Sequence, residues 1–471
     1  MRYLQYALAA AGLAGSAIVV GQMQQDTINS AKSRHASVDT TEVPNMIAGS
    51  IIGPDVIVGS LNGINRYTTN GVITSYSIGT TSCNVGDEQL DWYDNSPFHP
   101  VIAQSIYRLK DGRFQQLGQS WLKHGFCALQ QSLCAACQPA GNCCCSELGV
   151  GCSDPYTASL NGNQGGLGPK YEVNPTTGVF PWPYANPPYS GGLARRIQVR
   201  NSDLNPANNP GALYFGEGQY VARDDASARN GNNNASWRKV TFSGSTYQPS
   251  WDGATMTAEP AIAAWAVYDP GVELSGVELA DGYYILGTNV IDNEDGTWRY
   301  EYALYNMNHD RAVRSVTIPT GTGTTITDIG FSDVDYHSGE PYDLTDWAVA
   351  TGSGSITWST STEADNANAN ALRWGTMYNF WFTANTPPRD DLALTAGFFK
   401  FGNGTEFNVV TRTPQDGAAV CVGDFDDDGT VGPADLAALL AAWGTAGGDL
   451  DDDGNTDPAD LAILLAAWGP C

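Results

Sequence analysis

Two acidic loops near the C-terminus place oxygen ligands at the spacing that hard-cation chemistry demands. In the first, Asp424, Asp426 and Asp428 stand at loop positions 1, 3 and 5. Gly429 takes the sharp turn at position 6, Thr430 offers its backbone carbonyl at position 7, and Asp435 closes the loop at position 12. The second loop repeats the pattern 25 residues later with Asp449, Asp451, Asp453, Gly454, Asn455 and Asp460. Calcium gathers six to eight oxygens at about 2.3–2.6 Å, most of them from short carboxylates, and such a loop needs glycine at its tightest point. Four converging carboxylates per loop would repel one another strongly without a dication. No Lys or Arg follows Arg412, so nothing else in the tail can neutralise them. A merely solvated acidic run would explain neither the fixed glycine nor the duplicated spacing. The reading is two calcium ions, one per loop.

Each loop leads into one helix. Pro433 and Pro458 sit where a first helical turn accepts proline. Leu436, Leu439, Leu440 and Trp443 then recur at helical spacing, as do Leu461, Leu464, Leu465 and Trp468. The two stripes are expected to pack on each other, stapled by the ions and by a Cys421–Cys471 clasp. Residues 421–471 thus resemble a type I dockerin: tandem half-EF-hands with Asp at the twelfth position, no entering helix and a near-twofold repeat. The resemblance implies a small all-α calcium-binding domain that plugs a secreted protein into a cohesin-like partner on an extracellular scaffold or cell surface, often within polysaccharide-degrading assemblies. The Ser-Thr pair that the family often uses for cohesin contact is here Pro433-Ala434 and again Pro458-Ala459.

Elsewhere the chemistry-bearing residues are sparse. The histidines are His35, His99, His124, His309 and His337, and no His-Glu-x-x-His, nucleophile elbow or phosphate-cradling glycine loop occurs. Trp121-Leu-Lys-His-Gly125 resembles the second active-site motif of secreted acid ribonucleases, which would give His124 and Lys123 a role in phosphoryl transfer. Ser120 stands where that family has Glu, and His99 is followed by Pro-Val rather than Gly-Leu-Trp. His99 and His124, with Asp154, could alternatively ligate a metal; the plainer reading is two loop histidines bonded to backbone. Glycoside hydrolysis needs two carboxylates at a defined separation, and Glu217, Asp224, Asp225, Glu301 and Asp335 form the pool. In a strand Asp224 and Asp225 would face opposite ways; in the Asn-rich loop reaching Asn234 they could serve a structural calcium. Phe180-Pro-Trp-Pro-Tyr184 could stack on sugar rings, although aromatics more often build cores.

The elements that must position these residues read as β-structure. Of 471 residues 53 are Gly and only 15% are charged, while 42% are hydrophobic. That profile fits a turn-rich, mainly β secreted protein with substantial cores. A net charge of −27 argues against nucleic acid or anionic lipid as a partner. Residues 1–21 read as a signal peptide: Arg2, then the short apolar run Ala7 to Val20. Residues 22–43 are polar, and no other segment is long enough to span a membrane once the signal is cleaved. Eight cysteines between Cys83 and Cys152 fit disulfides in an exported chain better than zinc, despite Cys134-x-x-Cys137, because Cys143-Cys144-Cys145 supplies no well-spaced second pair.

The expected organisation is one or two antiparallel β-sandwiches. A β-rich domain spans 44–272, with a Cys-rich insertion at 127–152, and a β-sandwich domain spans 273–410. A linker at 411–420 precedes the tail. Asp292-Asn-Glu-Asp-Gly296 should turn a hairpin between Tyr283–Leu286 and Trp298–Leu304. Trp374 to Ala384 should be a strand with Tyr378, Phe380 and Phe382 on one face, halted by Pro387-Pro388. Gly79-Thr-Thr-Ser-Cys83, His99-Pro-Val-Ile102, Ser120-Trp-Leu-Lys-His124, Gly151-Cys-Ser-Asp-Pro-Tyr156 and Tyr300-Glu-Tyr-Ala-Leu-Tyr-Asn306 are similar to stretches of uncharacterised large secreted bacterial β-proteins. The function that follows is display of a β body that binds or degrades extracellular polysaccharide, with a glycoside hydrolase-like activity if it is an enzyme. The competing class is a non-catalytic structural or adhesive surface protein.

Overall fold

The computed structural model describes residues 51–141, 146–321, 323–352, 354–415, 422–426, 428–451 and 453–470. The signal segment, the polar segment 22–43, Cys143–Cys145, Cys421, Cys471 and residues 416–420 of the expected linker lie outside the described residues.

The body is mainly β, and every pairing between its strands is antiparallel. In its first half, Ile73–Asn84 is the hub of a four-stranded sheet with Val56–Asn70, Ile197–Arg200 and Ser153–Tyr156. A seven-stranded sheet runs Gln248–Met256, Ala235–Ser243, Leu213–Val221, Val101–Lys110, Leu122–His124 and Leu167–Gly168, with Arg113–Gln119 also on Val101–Lys110. The two sheets face each other across one core: Val56, Tyr76 and Ile78 from the first meet Ile102, Ile106, Tyr220 and Val240 from the second.

The second half holds two five-stranded sheets. One runs Glu273–Leu279, Gly282–Asp292, Trp298–Asn306, Thr376–Ala384 and Ile326–Ser332; the other runs Ala348–Gly352, Ser355–Ser359, Val313–Pro319, Pro388–Phe398 and Glu406–Pro414. Tyr300, Tyr302, Tyr378, Phe380 and Phe382 of the first pack on Val316, Ile356, Trp358, Leu394 and Ala396 of the second. The period-two pattern of Thr376–Ala384 dictates this: alternate residues face the core, and Trp381 faces the other way. Asp292 pairs with Trp298, closing the expected hairpin.

Three sequence expectations change. The strand containing Tyr378 begins at Thr376, so Trp374 lies before it and serves a cleft described below. Pro387-Pro388 turns the chain between sheets, since Pro388 itself starts a strand, at whose first position a missing N–H is tolerated. The last strand runs to Pro414, inside the segment expected to be linker.

The Cys-rich insertion is stapled to the hub strand. Cys83 in Ile73–Asn84 bonds Cys134, Cys137 bonds Cys152, and Cys127 is also disulfide-bonded. Cys134 and Cys137 are therefore consumed, which overturns the zinc alternative. The tail holds two nine-residue helices, Pro433–Ala441 and Pro458–Ala466, and a two-residue strand pair joining Thr430–Val431 to Gly469–Pro470. No helix among the described residues is long and apolar enough to cross a membrane.

Candidate functional site

Both tail loops fold to one local plan. Asp424 Oδ2 accepts the Gly429 N–H at 2.9 Å, and Asp449 Oδ2 accepts that of Gly454 at 2.7 Å. Asp428 Oδ1 accepts the Thr430 N–H at 2.8 Å; its counterpart Asp453 accepts that of Asn455 at 2.9 Å. Gly429 and Gly454 adopt φ of 84° and 91°, the left-handed region that makes glycine the fitting residue. Ligand atoms of Asp424, Asp426 and Asp428 lie within 4.8 Å of one another, as do those of Asp449, Asp451 and Asp453. Desolvation and the charges of Asp428 and Asp435 push the Asp426 carboxyl above its ordinary range, the response of a crowded anion cluster.

Asp435 and Asp460 stand outside these groups of three. Asp435 accepts the N–H groups of Phe425 at 2.7 Å and Gly432 at 2.8 Å; Asp460 accepts those of Leu450 at 2.6 Å and Asp457 at 2.7 Å. Each therefore braces loop start to helix start, and the Gly432 amide holds Asp435 below the usual carboxylate range. Thr430 and Asn455 occupy the expected seventh positions, Thr430 in the strand pair that crosses to Gly469 and Pro470.

The helical stripes divide in two. Leu439 and Leu464 are fully buried against each other, with Leu436 and Leu461 partly covered. Leu440, Trp443, Leu465 and Trp468 are 43–52% exposed. A two-turn helix facing one partner covers only part of a four-residue stripe, so the remainder forms a duplicated apolar surface.

His99 and His124 are brought into contact with each other. His99 Nε2 and His124 Nδ1 are 3.0 Å apart, and His99 Nδ1 faces the Tyr93 carbonyl at 3.2 Å. Because a carbonyl only accepts, His99 Nδ1 carries the proton, His99 Nε2 accepts, and His124 Nδ1 donates. His124 Nε2 is buried without a partner, and a Cβ at Gly168 would strike it and the Tyr184 ring. Phe180 and Tyr184 pack on this pair, Tyr184 stacked on His124 at 3.7 Å, so the Phe180–Tyr184 segment is a cover rather than an open platform. Burial lowers His99 to about 4 and His124 to about 2. Lys123 spends its ammonium on the His124 carbonyl at 2.6 Å, and Asp154 accepts the Leu129 N–H at 3.2 Å. Among the described residues no acidic or histidine group of three forms here. Neither the phosphoryl-transfer nor the His-metal reading has the convergence it needs.

Between the two halves lies a cleft that the sequence does not announce. Lys170, Tyr171 and Val173 line one wall; Asp310, Tyr336, Glu340, Tyr342, Arg373, Trp374 and Lys400 line the other. Its open space, mouth included, is ≈ 360 Å³. Lys170 is buried on two neutral acceptors, Gln119 Oε1 at 2.9 Å and the Gly375 carbonyl at 3.1 Å, with its ammonium 4.7 Å from the Trp374 ring centre. Arg373 lies 3.5 Å over Tyr342, and Lys400 pairs with Asp310 at 2.8 Å. Burial pushes Lys170 down and Glu340 up, drawing both toward neutrality. These side chains come from separate segments with no shared spacing, so no sequence motif marks them.

No family model matches the sequence, and no curated protein matches it. Among solved structures, the exo-chitosanase CsxA of Amycolatopsis orientalis aligns at 9% identity and a TM-score of 0.15, over 74% of this chain and 26% of that one. A structure of the exo-β-D-glucosaminidase CsxA, described for its inhibition by a glucosamine-configured castanospermine and an amino-australine analogue, aligns at 10% identity with the same TM-score and coverage. The chain thus spans about a quarter of the length of the structures it matches. At that TM-score the likeness bears on neither fold nor activity.

The glycosidase pool disperses. Glu217 is buried beneath Tyr107 Oη at 2.8 Å, Tyr305 Oη at 3.2 Å and the Ala261 N–H at 2.6 Å. Glu301 binds Arg113 through both oxygens at 2.6 and 2.8 Å, and Asp335 makes a surface pair with Arg200. Asp224 and Asp225 sit on the short helix Arg223–Ala228 rather than in a strand. Each carboxylate is engaged where it stands, and none of them lines the cleft.

Proposed function

We propose that this chain is an exported calcium-binding protein that presents a β-sandwich body on an extracellular scaffold or cell surface through a C-terminal dockerin-like module. One observation carries the reading: the duplicated calcium-type loops are followed, at the same 25-residue period, by two exposed Leu-Trp pairs, Leu440/Trp443 and Leu465/Trp468. A two-calcium, helical module with a repeated apolar face suits a cohesin-like protein partner better than solvent. The disulfides and the signal-like N-terminus fit export.

For the body, the cleft at Lys170 and Trp374 favours binding of extracellular polysaccharide. Tyr171, exposed at the cleft, can take a sugar ring face while charged groups take its hydroxyls, the rings of Trp374 and Tyr342 being covered by Lys170 and Arg373. The separate engagement of Glu217, Glu301 and Asp335 favours binding over hydrolysis, the glycosidase idea resting only on the company dockerins keep. The deciding experiment uses the full-length secreted chain. Asp428→Ala with Asp453→Ala should remove two equivalents of bound calcium, and Trp443→Ala with Trp468→Ala should leave calcium binding intact while abolishing calcium-dependent capture by purified cohesins. Affinity electrophoresis in polysaccharide gels should retard the wild type and not Tyr171→Ala. Unchanged calcium stoichiometry would sink the tail reading. Equal mobility in every polysaccharide would leave a structural or adhesive body as the better account.

A further inference from the structure

The first strand, Val56–Asn70, is entered through Asp55, which is fully buried. Against it packs the turn between the helix Arg223–Ala228 and the strand Ala235–Ser243, bringing Asp225 and Asn234, 1% and 2% exposed, together with Asn233. The contacts are specific. Asp225 Oδ1 accepts the Val56 N–H at 3.0 Å, Asn234 Nδ2 donates to Asp225 Oδ2 at 2.8 Å, and Asn233 Nδ2 donates to Asp55 Oδ2 at 3.0 Å. Arg229, with φ of 65°, turns the chain out of the helix, and Asn230 Nδ2 ties the turn to the carbonyls of Ile52 and Pro54 at 3.0 and 2.9 Å.

What is left over points to a ligand. Asp55 Oδ1, Asn233 Oδ1 and Asn234 Oδ1 are buried acceptors without a hydrogen-bond partner. Each sits on a side chain whose other polar atom is engaged inside the cluster. Buried acceptors without donors are costly, and two buried carboxylates without a counter-charge more so. Among the described residues neither Asp55 nor Asp225 has a salt-bridge partner. The neighbouring Asp224 adds no relief, because its oxygens accept the backbone N–H groups of Asp91 and Asp225. A water could supply donors but no charge; a hard dication supplies charge to every orphan oxygen at once. The donor set is two carboxylates and two amide oxygens, with no nitrogen or sulfur, which selects calcium over transition metals.

We propose that Asp55, Asp225, Asn233 and Asn234 form a third calcium site, inside the body and independent of the tail. The ion neutralises both carboxylates and pins the start of the first strand to the Asn-rich turn.

The test is elemental analysis of the full-length chain after dialysis against buffered micromolar calcium. The wild type should hold three calcium ions, the tail-loop variant Asp428→Ala with Asp453→Ala should keep one, and adding Asp225→Asn should remove it. In the tail-loop variant a chelator should lower the body's Tm by about 5–10 °C, and with Asp225→Asn added it should lower it no further. If Asp225→Asn does not fold, Asn233→Ala in the tail-loop background should weaken calcium at least 10-fold in a chelator competition. A tail-loop variant that holds no calcium overturns the proposal, as does an ion that survives Asp225→Asn or is bound as tightly by Asn233→Ala. Failure of the tail loops alone would show differently, as a wild type holding one ion rather than three.

Discussion

At the residue scale, the carboxylates that look catalytic in the sequence turn out to be fasteners. Glu301 is 1% exposed and takes both of its strong contacts from Arg113, whose guanidinium also lies 3.4 Å over the Trp381 ring. Removing one partner of a buried pair strands the other charge, which commonly costs 3–5 kcal/mol. Arg299, at 3.3 Å from Glu301, softens the loss. Arg113→Ala is therefore expected to destabilise the body by about 3 kcal/mol in urea unfolding, and the apolar double variant Arg113→Met with Glu301→Leu by less. A double variant that costs as much as the single would show that packing, not charge, dominates there. The histidine pair gives a pH signature of fixed sign. Unfolded, His99 protonates near its ordinary 6.5; folded, burial delays protonation to about 4. Between those values the unfolded state binds the extra proton, so this contribution is present above pH 6.5 and is lost as pH falls toward 4. The linked loss is roughly 3 kcal/mol at about 1.4 kcal/mol per unit. Unfolding free energies of wild type and His99→Phe should thus converge as pH is lowered from 7 to 4. Parallel pH profiles would mean that His99 protonates alike in the folded and unfolded states.

At the element scale, legibility followed periodicity. The alternation through Tyr378, Phe380 and Phe382 placed those rings in the core because a strand's period is two whatever surrounds it. The Asp292–Gly296 turn was readable because its residues fix a hairpin locally. The cleft was not readable: Lys170, Glu340, Arg373 and Trp374 meet only after two sheet pairs have packed, and nothing local to any of them records that meeting. The same limit explains the tail stripes. Spacing identified the apolar side of each helix but not how much of it a two-turn partner covers, so Leu439 and Leu464 are buried while Leu440 and Leu465 are half exposed. That division makes a prediction about the helices. Leu464→Ala removes a fully buried anchor from a core whose other fully buried members, among the described residues, are Val431 and Leu439. It should cost about 2–5 kcal/mol and unfold the tail at room temperature. Leu465→Ala, one residue on, should stay within about 0.5 kcal/mol. Circular dichroism difference spectra between calcium and chelator report the tail transition directly. Equal losses in the two variants would mean that the exposed stripe is covered in solution.

At the scale of the molecule, the boundary near residue 272 separates sheets but not cores. Tyr107, Phe114, Phe215 and Trp237 of the first half share one cluster with Trp265, Ile285, Tyr305 and Met377 around and beyond the boundary. Polar bonds cross as well: Asn379 Nδ2 reaches the Phe114 carbonyl at 2.8 Å, Gln116 Oε1 accepts the Met377 N–H at 2.9 Å, and Lys170 reaches Gly375. Glu217 adds a buried knot, held by Tyr107 from one half and Tyr305 from the other. Interfaces between independently folding domains are typically more polar and smaller than a shared aromatic core. The two halves are therefore expected to melt as one cooperative unit, with the tail as a separate, calcium-dependent transition. Differential scanning calorimetry of the full chain should show one body peak whose calorimetric and van't Hoff enthalpies agree. Phe114→Ala, set in the shared cluster, should shift that whole peak downward without splitting it, at a cost of about 3–5 kcal/mol. Two body peaks, with Phe114→Ala moving only the earlier one, would make the halves autonomous and would reduce the cleft between them to a contact of two preformed surfaces. A single peak makes the cleft part of the folding unit, so the positions of Lys170 and Trp374 are fixed by the same packing that keeps the body folded.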